Sequence, residues 1–171
     1  MKTKVYIETS VVSYLTSAPS RDLIVAAHQC VTRAWWDRRD RFDLFVSETV
    51  MEEVALGHSD AAAKRMAALH GLPVLAVSAA VVALARRLVA SGAVPPKSGG
   101  DAIHIAAAAV NGLDVLLTWN CRHIANPTTR VRLNRCAERV GMCLRSCARR
   151  KYLEATDHVE GSNRRRGPRD P

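Results

Sequence analysis

Four positions in this chain carry oxygen ligands at predicted strand ends or within predicted helices: Glu8, Glu53 or its neighbour Glu52, Asp101 and Asn120. Carboxylate and amide oxygens are hard ligands for Mg²⁺ or Mn²⁺, and such an ion acidifies a bound water and clamps phosphate oxygens. Carboxylates that share a crevice repel each other, which raises their pKa values until a divalent cation neutralises them. The four positions therefore predict a metal centre, provided that the fold brings them together.

Glu8 follows a predicted strand over residues 4–7 and precedes two hydroxyl residues, Thr9 and Ser10. The apolar residues around it are rich in β-branched and aromatic side chains, which favours a first strand that ends at the acid. A simple N-cap for the next turn is the alternative role, but Thr9 or Ser10 would fill that role equally well. The position of Glu8 therefore favours a functional carboxylate.

Glu52 and Glu53 lie in the middle of a helix that Ser47 is predicted to cap and that ends at Gly57. Successive helical residues point about 100° apart, so only one of the two glutamates can face a given site. Solvated glutamates are common on helices, and the pair taken alone predicts no function.

Residues 99–124 form the most informative stretch, GGDAIHIAAAAVNGLDVLLTWNCRHI. Asp101 is predicted to cap an alanine-rich helix of about 10 residues, and Asn111-Gly112 is a typical helix stop. Residues 115–117 form a short apolar run typical of a buried parallel strand. Because ligands bind outside the carboxyl ends of such strands, Asn120 lies in a candidate site, and Asp101 can face the same crevice.

Predicted strands alternate with predicted helices along the whole chain, which is typical of βα units wrapped on a parallel sheet. The strands are expected at residues 4–7, 44–46, 74–77 and 115–117, with a last edge strand at 141–144. The helices are expected at residues 20–37, 47–57, 60–70 and 78–90, in the central stretch and at 128–139.

The composition suits a single globular domain without a membrane anchor. The chain has 171 residues, of which 48% are hydrophobic, and its N-terminus resembles neither a secretory signal nor a membrane span. Five cysteines without a C-x-x-C pair argue against a disulfide framework or a zinc site. A cytoplasmic location with free thiols is the expectation.

The net charge of +9 is concentrated near the C-terminus. From residue 130 onward there are 12 basic and 5 acidic residues, a net of +7, which leaves +2 for residues 1–129. A basic chain attracts RNA or DNA through counterion release, although a basic tail that merely solubilises the protein explains the charge equally well. Residues 145–171 lack apolar periodicity and are predicted to be a disordered tail.

Four motifs together resemble the PIN-domain ribonucleases, in particular the VapC-like toxins of toxin–antitoxin pairs: IETSVVSYL, SETVMEEVALG, GGDAIHIAAA and LLTWNCRHIAN. The resemblance covers residues 4–142. It implies a three-layer α/β/α fold with a central parallel sheet of four to five strands, occupying residues 1–144. It further implies a metal-dependent endoribonuclease that uses Mg²⁺ or Mn²⁺, a cognate antitoxin protein as partner, and a homodimer.

The resemblance also assigns roles to individual residues. Glu8 takes the place of the first-strand acid, which is usually Asp in the family, and Asp101 matches the third acid directly. Glu53 rather than Glu52 fits the family pattern S-x5-E-x3-G, and Asn120 stands where a fourth acid is common. The family's supporting hydroxyls fall at Ser10 and Thr118. Arg122 and His123 are candidate RNA contacts for a different reason, because they lie just past Asn120 in the sequence.

His104 follows Asp101 by one helical turn and can face the same crevice. A phosphate contact or a proton shuttle is one interpretation, and a histidine packed in the helix interface is the preferred one.

Two other functions compete with a nuclease. In a non-catalytic RNA-binding module the altered acids would no longer hold metal, and the basic tail would bind RNA. A nucleotide-binding domain is disfavoured because no G-x-G-x-x-G or G-x-x-x-x-G-K-[ST] loop follows the first strand.

Overall fold

The structure of the protein, a computed structural model, describes residues 1–120 and residue 124. The predicted helix at 128–139, the predicted edge strand at 141–144, the domain boundary after residue 144 and the tail at 145–171 all lie outside the described residues.

Four strands form one parallel sheet in the order β3-β2-β1-β4. They are β1 (Thr3–Ile7), β2 (Phe42–Ser47), β3 (Val74–Leu75) and β4 (Val115–Leu117). The helices are α1 (Thr9–Thr16), α2 (Leu23–Trp36), α3 (Glu48–Ala55), α4 (Ser59–Leu69), α5 (Ala79–Ala90) and α6 (Gly99–Val110), with 3₁₀ turns at Arg39–Arg41 and Pro96–Ser98. The predicted parallel α/β fold is confirmed.

The strand order determines how the helices cover the sheet. The chain moves from β1 to β2 to β3 in one direction and then returns past β1 to β4. Because parallel crossovers are right-handed, the two directions of travel place their helices on opposite faces. Most contacts agree, since α1 packs on α2, α3 and α4 while α5 packs on α6, and α3 also meets α6 through Glu53 and His104. This arrangement is compatible with a three-layer α/β/α architecture.

Most helix boundaries follow the predicted capping chemistry. Ser47 Oγ accepts from the backbone N–H of Val50 at the start of α3, and Ser78 Oγ accepts from Val81 N–H at the start of α5. At the C-terminal end of α6, Asn111 is the C-cap. Gly112 follows it with φ +62°, a conformation that glycine adopts without steric cost.

The predicted cap at Asp101 is wrong. Helix α6 has 12 residues and begins at Gly99, because the 3₁₀ turn at Pro96–Ser98 leads directly into it. Asp101 therefore lies inside the first helical turn, and its side chain accepts a hydrogen bond from a residue beyond β4.

The buried core runs along β1 and under α6. Val5, Tyr6 and Ile7 are all buried, which is typical of a central parallel strand covered on both faces. Val11 and Val12 lie in α1 despite their strand propensity and are also buried, because tertiary packing outweighs local preference. None of the described helices is long and apolar enough to cross a membrane.

Candidate metal centre

Glu8 is positioned by the junction between β1 and α1. It is the N-cap of α1, and its Oε1 accepts from the backbone N–H of Ser10 at 3.1 Å. The side chain is only 6% exposed. The capping role that the sequence offered as an alternative is therefore real, and it fixes the carboxylate at the carboxyl end of the central strand.

Two hydroxyls hold the other oxygen of Glu8. Ser10 Oγ and Thr118 Oγ1 both donate to Oε2, the second over 2.7 Å. Ser10 Oγ in turn accepts from the backbone N–H of Trp119 at 2.9 Å. These bonds join the end of β4 to the start of α1, with Glu8 between them. Ser10 and Thr118, the two residues predicted as supporting hydroxyls, thus both bind the same carboxylate oxygen.

Glu53 reaches the same place from the middle of α3. Thr9 Oγ1 donates to Glu53 Oε2, and His104 Nε2 lies 3.2 Å from that same oxygen. Within the described residues, no hydrogen-bond donor contacts Glu53 Oε1. Gly100 lies next to this oxygen: a Cβ atom built on Gly100 would be 3.6 Å from Glu53 Oε1, an ordinary van der Waals contact. Glu52, by contrast, is exposed, so Glu53 is the glutamate that faces the site.

His104 is held by a buried chain of hydroxyls. Its Nδ1 lies 2.9 Å from the hydroxyl of Tyr6, which lies 2.6 Å from Ser47 Oγ. Because Ser47 Oγ already accepts from Val50 N–H, its own hydrogen is free to go to Tyr6, and the Tyr6 hydrogen then goes to Nδ1. A neutral His104 with its proton on Nε2 satisfies every group in the chain and donates to Glu53.

The protonation states of Tyr6 and Glu53 follow from these contacts. Burial raises the pKa of the Tyr6 hydroxyl far above its ordinary value, so Tyr6 stays protonated. Burial also tends to raise the pKa of Glu53, but hydrogen bonds from His104 and Thr9, with a smaller contribution from the charge that His104 carries when it is doubly protonated, hold that pKa below its ordinary value. Glu53 is therefore a carboxylate at neutral pH.

Glu8, Glu53 and His104 could hold a metal ion. Each offers one ligand atom, and these atoms all lie within 4.8 Å of one another. The atoms come from three separate elements, the β1–α1 junction, α3 and α6. In the neutral form of His104 that donates to Glu53, the two carboxylates are the groups left to contact a cation. Glu8 has three protein donors, whereas Glu53 keeps one oxygen open.

Asp101 and Asn120 pair with each other beside this cluster. Asn120 Nδ2 donates to Asp101 Oδ1 over 2.8 Å, and the backbone N–H of Asn120 donates to Thr118 Oγ1. Asp101 is not among the three described residues of the cluster, although it directly follows Gly100, which faces Glu53. The structure thus brings Glu8 and Glu53 together and places Asp101 with Asn120 next to them.

The sequence does not predict the contribution of Thr9, which it offers only as an alternative cap, although its hydroxyl binds Glu53. For His104 the sequence leaves two interpretations. The preferred packing role agrees with its 2% exposure, and its contact with Glu53 agrees with the crevice-facing position that its spacing of one helical turn from Asp101 indicates. Arg122 and His123, the predicted RNA contacts, lie outside the described residues.

A groove of about 650 Å³ opens beside the two carboxylates. It runs from Glu8 and Glu53 along α1 to the segment that joins α1 and α2, past Ser13, Tyr14 and Ser17. The volume is in the range of small-ligand sites.

Neither known protein-family models nor curated proteins give a match to this sequence. The likeness to PIN-domain ribonucleases therefore depends on the four motifs, and the function that it implies is a proposal.

Proposed function

We propose that the protein is a metal-dependent endoribonuclease that hydrolyses RNA phosphodiester bonds, and that it is the toxin of a toxin–antitoxin pair. The observation that carries the proposal is the pairing of Glu8 with Glu53 at the carboxyl end of the central strand. Glu8 is 6% exposed and the Glu53 side chain is 34% exposed, and a divalent cation bound between two such carboxylates would offset their mutual repulsion. Hydrogen bonds already hold the pKa of Glu53 below its ordinary value, so that carboxylate is ionised and ready to bind a cation.

The residues present fit a divalent cation. Glu53 has an oxygen without a donor in the described structure, and Glu8 accepts three hydrogen bonds out of about four lone-pair sites that a carboxylate offers. Glu8 and Glu53 would hold Mg²⁺ or Mn²⁺, with Asp101 and Asn120 beside them. Such an ion supplies an acidified water and neutralises charge on the phosphate.

The chain's own residues orient the site. Ser10 and Thr118 fix the Glu8 carboxylate, while Thr9 and His104 fix that of Glu53. Asn120 donates to Asp101 and so orients the third acid. Each carboxylate is held before substrate arrives, which lowers the reorganisation needed during the reaction. No side chain is required as a nucleophile.

The resemblance supports further assignments that complete the proposal. RNA is the substrate, and the positions of Arg122 and His123 just past Asn120 make them the phosphate contacts. The partners are a cognate antitoxin protein and a second copy of the chain, and the location is cytoplasmic. The net charge of +9 favours a polyanionic substrate.

A catalytically impaired RNA-binding module is the second candidate. Glu8 is nearly saturated by protein donors, and Asn120 directs an N–H group, not an oxygen, at Asp101. Because of both features, this site should bind a metal ion more weakly than a site with four acids whose oxygens are all available. Such a module would bind RNA but would not gain thermal stability from Mn²⁺.

Cleavage of a mixed RNA pool tests the proposal. The purified protein is incubated with Mn²⁺, with Mg²⁺ or with EDTA, beside the Asp101→Ala variant. We expect cleavage that EDTA and Asp101→Ala both abolish. RNA that is bound but not cut under any condition would contradict the nuclease and support the binding module.

A further inference from the structure

The groove beside Glu8 and Glu53 changes character along its length. At one end it has the two carboxylates, and along the rest of its wall it has hydroxyl, amide and apolar groups, including Ser13, Tyr14 and Val25. None of the groove residues in the described structure is a lysine, an arginine or a histidine. The side chains that line the far part of the groove are therefore neutral, and the adjacent guanidinium of Arg33 donates a hydrogen bond to the carbonyl of Ser17.

A neutral wall cannot compensate a phosphate, because anion sites use Arg, Lys, backbone N–H groups or metal ions. It does suit the uncharged part of a nucleotide. Serine hydroxyls both donate and accept, so they can pair with the polar edge of a base. Tyr14 adds an aromatic surface, which itself lies edge-on to the ring of Trp119 at 5.8 Å between centroids.

The wall of the groove is already formed without a ligand. Gln29, which is 2% exposed, donates through Nε2 to the carbonyl of Ala18 and accepts through Oε1 from the N–H of Ser20. Arg33 Nη2 donates to the carbonyl of Ser17 at 2.9 Å. These bonds tie the segment between α1 and α2 to one side of α2. A site built in this way does not need to order a loop on binding.

The chain offers hydroxyls that remain available in the groove. Ser10 Oγ is committed to Glu8, and Ser17 Oγ donates to the carbonyl of Ser13. For the hydroxyls of Ser13 and Tyr14, no hydrogen bond is seen in the described part of the chain. Both residues are half-buried groove residues, so a bound group can pair with them.

We propose that this part of the groove binds the base of the nucleotide next to the scissile phosphate, with Ser13 contacting the base edge and Tyr14 its ring. The inference rests on the proposed ribonuclease function, and it adds that one unpaired base enters the protein. A base can reach such a groove only from single-stranded RNA, because a base pair occupies the same polar edge.

An abasic scan tests the inference. A single-stranded RNA that the protein cuts at one bond is synthesised as a series, each member lacking one base but keeping its ribose and phosphates. We expect the loss of one base next to the cut to lower kcat/KM by about tenfold, as the loss of one stacked base typically does. Loss of bases farther away should change little.

A variant that fills the groove tests whether the dependence of kcat/KM on this base comes from Ser13 and its neighbours. Ser13→Leu should lower kcat/KM for the intact RNA and make it insensitive to the abasic position, while Ser59→Leu, an exposed residue at the start of α4, should behave as wild type. Cleavage that is equally fast on every abasic RNA would overturn the base site and leave the nuclease standing. Absence of cleavage on all RNAs would overturn the proposed function and the inference together.

Discussion

His104 Nε2 lies 3.2 Å from Glu53 Oε2, while its Nδ1 lies 2.9 Å from the hydroxyl of Tyr6. A buried imidazole thus connects the core of the molecule to a carboxylate at the surface of the groove. Because Ser47 and Tyr6 supply a hydrogen to Nδ1, the proton of His104 belongs on Nε2, where it is donated to Glu53. His104 accordingly acts as a positioning residue for that carboxylate.

A pair of amide variants separates the two sides of the imidazole. The amide nitrogen of His104→Gln can reach the place of Nε2 and donate to Glu53, whereas the shorter amide of His104→Asn reaches only toward Tyr6. We expect His104→Gln to keep most of the Mn²⁺-dependent cleavage and His104→Asn to lose about tenfold or more in kcat, since removing a hydrogen bond to a charged group costs about 1.5–3 kcal/mol. Equal activities of the two variants would contradict this role.

Tyr6→Phe should destabilise the protein, although Tyr6 itself does not line the groove. It removes the hydroxyl between Ser47 and His104 and leaves buried polar atoms without a partner, which costs about 1–3 kcal/mol in the free energy of unfolding. Urea unfolding measures the change. The matched control is Tyr14→Phe, whose hydroxyl makes no hydrogen bond in the described structure. If Tyr6→Phe lowers the free energy of unfolding no more than Tyr14→Phe does, the hydrogen bonds of Tyr6 do not contribute to stability.

The lowered pKa of Glu53 predicts a pH-dependent contribution to stability. The folded protein holds this pKa below the ordinary value of 4.5, so the unfolded state binds the proton more readily. The contribution is therefore complete above about pH 4.5 and is lost as the pH falls through the folded pKa. Unfolding with EDTA present, compared between wild type and Glu53→Gln, measures it. A difference that grows on acidification would have the wrong sign.

Asn120→Asp restores the fourth acid that the family resemblance leads one to expect. It replaces the N–H group that Asn120 donates to Asp101 with a carboxylate, so two like charges face each other. We expect a lower melting temperature in EDTA and a larger gain on adding Mn²⁺ than in wild type. Thermal melting with and without Mn²⁺ is the measurement. A variant that is as stable as wild type in EDTA would contradict the expected repulsion.

Much of the fold could be predicted from sequence because many of its signals are local, but the β-branched residues of α1 hid that helix, which the sequence does not predict. Ser47, Ser78 and Gly112 mark helix ends by capping chemistry, and short apolar runs mark the strands. Asp101 shows the limit of that reasoning, because a carboxylate near a helix start satisfies the capping rule whether or not it caps. The side chain of Asp101 instead bonds Asn120, which is 19 residues away in the sequence. Only the packing of α6 on the sheet decides whether Asp101 caps the helix or reaches Asn120.

The site could be predicted only in part for the same reason. Spacing within α3 shows that Glu52 and Glu53 face different directions, but the facing direction depends on how α3 packs. The contacts of Thr9 and His104 with Glu53 join residues 44 and 51 positions apart, and no local pattern encodes such distances. Glu8 has one role of each kind. Its capping of α1 is local and can be read from the sequence, whereas its closeness to Glu53 depends on the fold.

Binding of Mn²⁺ by wild type, Glu53→Gln and Glu52→Gln tests the central claim most directly. At a concentration one hundred times Kd, binding to the folded state adds about 2.7 kcal/mol, which raises the melting temperature by roughly 5–10 °C in a protein of this size. We predict this rise for wild type and for Glu52→Gln, which changes an exposed residue of the same helix, and no rise for Glu53→Gln. A rise of equal size in Glu53→Gln would contradict a metal centre at Glu8 and Glu53.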